Sequence, residues 1–112
     1  MSQEKEEMIR SKRNEAMQLV RLGNRKVNEL RGSPGHGESS AHFNTKKEIF
    51  DKLRAEGKHV ITEAIFKTGG RADIFVLDDF KVIEVVKTET EQSIKNKQAT
   101  YPAGLKIEVI KC

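Results

Sequence analysis

Gly69-Gly70-Arg71-Ala72-Asp73-Ile74-Phe75-Val76-Leu77-Asp78-Asp79-Phe80-Lys81-Val82-Ile83-Glu84-Val85-Val86-Lys87 is the stretch that decides the fold. Two apolar runs flank the turn-prone pair Asp78-Asp79, which predicts a β-hairpin. Alternation sets Asp73, Phe75 and Leu77 on one face of its first strand, and Phe80, Val82, Glu84 and Val86 together on its second. Each strand therefore carries one carboxylate among apolar neighbours. An ionised acid on a core-facing side is costly unless a cation or strong donors meet it. Two such acids on paired strands point to a divalent-metal site. The plainer alternative turns one or both to solvent, since both faces of these strands are mixed.

Working outward, residues 58–67 are rich in β-branched side chains and predict a strand that enters the hairpin through Thr68-Gly69-Gly70. Three closely spaced strands give an antiparallel meander. In the first of them alternation sets Glu63 beside Ile61 and Ile65, another acid in apolar company. Before it, Thr45-Lys46-Lys47-Glu48 has the capping-box pattern and opens a helix through Ile49, Phe50 and Leu53 that stops at Gly57. That helix starts at Thr45 or a turn earlier, at Ser40. Capping alone explains Glu48, so a chemical role for it is the weaker reading. After the hairpin, Thr88-Glu89-Thr90-Glu91 repeats the capping pattern, and Pro102 stops the second helix at Tyr101. Leu105, Ile107 and Val109 then alternate with Lys106 and Glu108 as a last strand. The order is helix, three strands, helix, strand, which predicts an α/β sandwich closed by a right-handed crossover.

The N-terminal residues 1–31 predict a basic amphipathic helix, with Gly23 as a weak point. Its acidic first turn (Glu4, Glu6, Glu7) suits the positive end of a helix dipole. Beyond that turn Arg10, Lys12, Arg13, Arg21, Arg25, Lys26 and Arg31 outnumber Glu15 and Glu29. Such a helix suits a phosphate backbone, or is a solvated face packed on its own domain or on a second copy. Residues 32–41, dense in glycine and serine, read as a flexible loop before a core at 42–112. His36 gets no role, and His42 and His59 stay open between surface, core and phosphate contact.

The 112 residues make one domain with one modest core. Charged residues are 34% of the chain and the net charge is +4, a balance that favours an anionic partner such as nucleic acid. A single cysteine, Cys112, excludes an intrachain disulfide and fits a reducing interior. There is no apolar run of membrane-spanning length and no apolar signal-peptide core, so no membrane partner is expected and the expected location is cytoplasmic.

The element order, with Asp73 in the second strand and Glu84 in the third, resembles the PD-(D/E)XK nuclease superfamily, the restriction-endonuclease-like fold. It also resembles small archaeal and viral members of that group, including relatives of archaeal Holliday-junction resolvases. Arg71-Ala72-Asp73 followed by Ile83-Glu84-Val85-Val86 resembles the family's central hairpin, and the likeness covers roughly residues 40–112. The resemblance implies an α-β-β-β-α-β core, a mixed sheet flanked by helices, with an extra N-terminal helix. It implies that Asp73, Glu84 and the Val85 carbonyl hold Mg²⁺ or Mn²⁺. Glu63 matches a glutamate sometimes found before the hairpin, and Glu48 is the weakest ligand candidate. The implied activity is metal-dependent endonuclease cleavage of DNA phosphodiesters, with selectivity for DNA structure and action on RNA both left open. Arg71 and the basic helix would bind the nucleic acid.

Oxygen ligands of this kind suit magnesium, which keeps several of its waters. The family's motif lysine, two residues after the glutamate, is Val86 here. Lys87 lies one step further and needs a β-bulge to come round. Lys97, one turn before Tyr101, is the other candidate for the catalytic cation. If neither serves, the fold carries a nucleic-acid-binding or assembly module without turnover. A homodimer is a further expectation.

Overall fold

Four strands form one mixed sheet in the computed structural model, which describes residues 3–112. Met1 and Ser2, the start of the expected N-terminal helix, lie outside the described residues. Helix α1 spans Gln3–Gln18 and α2 spans Ser40–Ala55. Strands β1 (Val60–Ile65), β2 (Arg71–Val76) and β3 (Lys81–Val86) follow, then α3 (Glu91–Gln98) and β4 (Lys106–Lys111). β1–β2–β3 is the antiparallel meander, and β4 returns parallel to β3. The protein is thus α/β, with helices flanking the sheet.

Helix α1 ends at Gln18 and does not reach residue 31. Its last turn tightens as Leu19 and Val20 donate to the carbonyls of Ala16 and Met17. The chain then runs along the outer edge of β1. There Arg21 donates to Ile65 O at 2.9 Å, Lys67 to Leu19 O at 2.9 Å and Asn28 to Val60 O at 2.7 Å. A β edge with unfilled N–H and C=O groups outcompetes a helix broken by Gly23.

Helix α2 begins at Ser40, with Ser39 as its N-cap, since Ser39 Oγ accepts from His42 N at 3.1 Å. Thr45 and Glu48 sit inside the helix, so their capping pattern is not used. At the other end Lys58 N donates to Leu53 O and Gly57 N to Arg54 O, the Schellman arrangement, with Gly57 at φ +80°. The N-cap of α3 is Thr90 rather than Thr88. The β2–β3 connection is a short 3₁₀ turn, Leu77–Asp79, leaving through Phe80 in the left-handed region. Asp78 anchors it, accepting from His59 N at 2.9 Å and from Arg13 Nη2 of α1 at 2.9 Å.

Each face of the sheet is covered. On one, Ala16 and Val20 pack with Ile61, Phe66, Phe75, Leu77, Val82 and Tyr101. On the other, Ile49, Phe50 and Leu53 of α2 cover Val60, Ile74, Val76 and Ile83. Phe66 stands edge-on to both Phe75 and Tyr101, with centroids 5.1 and 5.4 Å apart. That trio fixes Tyr101 over the end of β3; with Phe75 fully buried, its truncation to alanine is expected to cost about 3–5 kcal/mol.

Candidate functional site

The β2–β3 ladder runs Val76↔Lys81, Phe75↔Val82 and Ile74↔Ile83, and there it stops. The next residues outward are Asp73 and Glu84, which face each other across the opening. Asp73 Oδ2 takes the Val85 N–H at 2.8 Å, replacing the strand partner that β2 no longer offers. Carbonyls of Phe80 and Val86 bond β4, so alternation turns the Val85 N–H and C=O toward β2 and the gap beside Asp73.

Glu84 is 2% exposed. Tyr101 Oη donates to its Oε1, and Lys97 Nζ donates to its Oε2 at 2.9 Å. Burial, then repulsion from Asp73, raises the Glu84 carboxyl to about 7 in spite of these donors. Burial works against the Lys97 ammonium, yet Glu84 holds its pKa above the usual lysine range. Burial first, and Glu84 second, push the Tyr101 phenol up.

Asp73 opens into a cleft of about 910 Å³ walled by residues 30–39, the start of α2, and the ends of β1, β2 and β3. The loop is closed on itself by bonds from Gly35 N to Glu38 O and from His36 and Glu38 N to Ser33 O, so it is a built wall rather than a bare linker. Glu38 accepts from Lys46 Nζ at 2.8 Å and pairs with His42 Nδ1. His42 Nε2 lies 3.4 Å from Asp73 Oδ2. Lys46, fully buried, also reaches Glu63 Oε1 at 2.8 Å, and Arg71 Nε lies 3.0 Å from Glu63 Oε2.

Glu63 has φ +52°, and this breaks the alternation expected for its strand. Ile61, Ala64 and Phe66 consequently share one core while Glu63 turns to the cleft. Glu38 and Lys46 did not stand out in the sequence, where His42 stays open between surface, core and phosphate contact. The spacing of four residues from Glu38 to His42 to Lys46, continuous with the face of a helix, is the signal that would have found them.

Other expected site residues divide. Lys97 meets Glu84, whereas Lys87 is exposed at the cleft wall. Glu48 is exposed and is not part of the cleft lining. Arg13 is spent on Asp78 and Arg25 Nε on Val20 O, while Lys12 lies 6.0 Å over the Phe80 ring. Arg10, Arg21 and Lys26 are exposed. Among the described residues the cleft cations are Arg31, Arg71 and Lys87, and the α1 residues take no part in the wall.

Among the described residues there is no group of three His, Cys, Asp or Glu side chains arranged to hold a metal. What the gap offers is two carboxylates and a carbonyl, hard oxygen donors of the kind magnesium or manganese uses when water completes its shell. An ion there would have to share the Glu84 oxygens with Lys97 and Tyr101, which already donate to both. Among the described residues no helix is long and apolar enough to cross a membrane. The chain matches no family model, no curated protein and no solved structure.

Proposed function

We propose that this chain is a divalent-metal-dependent nuclease of restriction-endonuclease-like type, acting on DNA phosphodiesters. The observation that carries the reading is the meeting of Asp73 and Glu84 at the point where β2 and β3 part, close enough for one to repel the other. Fold alone would not license an activity. Asp73, Glu84 and the Val85 carbonyl would hold Mg²⁺ or Mn²⁺. When bound, the ion neutralises phosphate charge and makes a bound water more acidic. Lys97 keeps a positive charge beside Glu84 and takes the part of the motif lysine that Val86 replaces. Tyr101 fixes the Glu84 carboxylate, and Arg31 and Lys87 stand at the cleft wall as cations for the phosphate backbone, with Arg71 held by Glu63 and with Glu38, Glu63 and Glu89 on the same wall.

The test incubates linear and branched DNA, and RNA, with the protein and Mn²⁺ or Mg²⁺. Cleavage that needs the ion and is lost in Asp73→Asn supports the proposal; cleavage that survives this substitution comes from a contaminant.

A non-cleaving nucleic-acid-binding module is the second reading. It is favoured by Glu84 having both oxygens engaged by protein donors at 2% exposure. In that case DNA binding persists, weakens steeply with salt, and is not accompanied by turnover.

A further inference from the structure

The two edges of the sheet are treated differently. Along β1 the chain covers its own edge, with Val20 bridged to Phe66 and Val60 N donating to Asn28 Oδ1 at 3.0 Å. Arg31 N donates to Thr62 Oγ1 in the same run. β4 pairs with β3 on one side, and among the described residues no strand lies on its other. Lys106 and Cys112 donate their N–H groups to β3, so alternation turns the N–H and C=O of Ile107, Val109 and Lys111 outward. Ile107 is 36% and Val109 38% exposed on the face beside Val82 and Glu84. A six-residue strand with an open ladder and an apolar stripe is a template for another strand.

We infer that β4 is the assembly edge of this protein and that its occupant is the β4 strand of a second copy, antiparallel about a two-fold axis at Ile107. The side chains select both the partner and the register. With Ile107 opposite the partner's Ile107, outward backbone groups meet outward backbone groups. Lys106 then faces the partner's Glu108, and Glu108, half exposed and already paired with Lys81 of its own chain, faces the partner's Lys106, while Leu105 meets the partner's Val109. Moving the axis to Glu108 sets two glutamates opposite each other. Moving it to Val109 sets Ile107 against the partner's Lys111. Both alternatives are penalised by like charge or by mismatch, which leaves one register favoured. The edge lysines thus discourage random strands while admitting this one.

Ala16 and Met17 of α1 pack on its own sheet, while Met8, further up the helix, stays 71% exposed and has no open backbone ladder beside it. No β4 residue lines the cleft, so the pairing leaves the cleft open and stands apart from how the acids are read.

Light scattering on the full chain at high micromolar concentration is expected to give twice the 12.7 kDa chain mass. Val109→Pro removes an N–H that the chain itself does not use and is expected to give a monomer with unchanged far-ultraviolet dichroism. Ile107→Lys, which sets like charges on the axis, should do the same if the proline variant fails to fold. Lys106→Glu is expected to weaken association at least tenfold. Ile107→Cys in a Cys112→Ser background should cross-link across the axis on mild oxidation, because facing Cα atoms lie about 5.5 Å apart in such a pair. A monomeric wild type overturns the inference. So does a dimer that survives both Val109→Pro and Ile107→Lys, or an Ile107→Cys variant that does not cross-link.

Discussion

Asp73 and Glu84 occupy facing positions on neighbouring strands, yet their surroundings differ. Asp73 opens to the cleft and is met by a backbone N–H and the edge of His42. Glu84 lies under Tyr101 and Lys97 and does not line the cleft. Burial and the neighbouring Asp73 charge raise the Glu84 carboxyl to about 7. On the proposed reading Asp73 would be an open ligand and Glu84 a sheltered one, and a cation between them would relieve their repulsion.

The largest expected effect separates the two by activity. Asp73→Asn keeps an acceptor for Val85 N–H but loses the charge, and metal-dependent cleavage is expected to fall by about 100-fold or more in a single-turnover assay. Glu84→Gln should remove cleavage as well, but it changes stability in the opposite sense to an ordinary core lesion.

The next effect is that stability. Glu84 holds a proton in the folded state between about pH 4.5 and 7 that the unfolded chain has released, so wild-type stability falls as pH rises through this window. The loss amounts to roughly 3 kcal/mol across the window. Denaturant melts of Glu84→Gln from pH 5 to 8 should lack this decline, so the variant gains on wild type as pH rises. An unchanged gap would show that Glu84 is not strained.

Smaller effects sharpen the same contrast. Asp73→Asn should lower the Glu84 midpoint, and Tyr101→Phe should raise it, read by carboxyl ¹³C shifts against pH. Lys97→Met is expected to raise it too and to cost about 1 kcal/mol, discounted because Lys97 is 36% exposed. Glu48→Ala, outside the lining, should leave cleavage within about twofold, since nothing in the site contacts it.

The hairpin, the two core helices and the returning strand were legible because hydrophobic alternation, Gly57 and Pro102 all agree locally on the same elements. The position of Asp73 against Glu84 followed from alternation plus one turn. The fate of residues 19–31 did not. Their helix propensity was overridden by the open edge of β1, a tertiary demand with no local signature. The cleft wall failed for a related reason. Glu63 escapes its expected face through a left-handed backbone, and Lys46 is buried because two distant acids meet it. Arg13 looked like a phosphate contact on charge alone, but the turn carboxylate of Asp78 claims it.

Titration calorimetry with Mn²⁺ at pH 6 and pH 8 tests the shared acid site most directly. The expected result is one ion per chain, bound more tightly at pH 8 as Glu84 gives up its proton, with binding abolished by Asp73→Asn and by Glu84→Gln. Absence of binding at both pH values, or binding indifferent to these two substitutions, would contradict a cation site between β2 and β3.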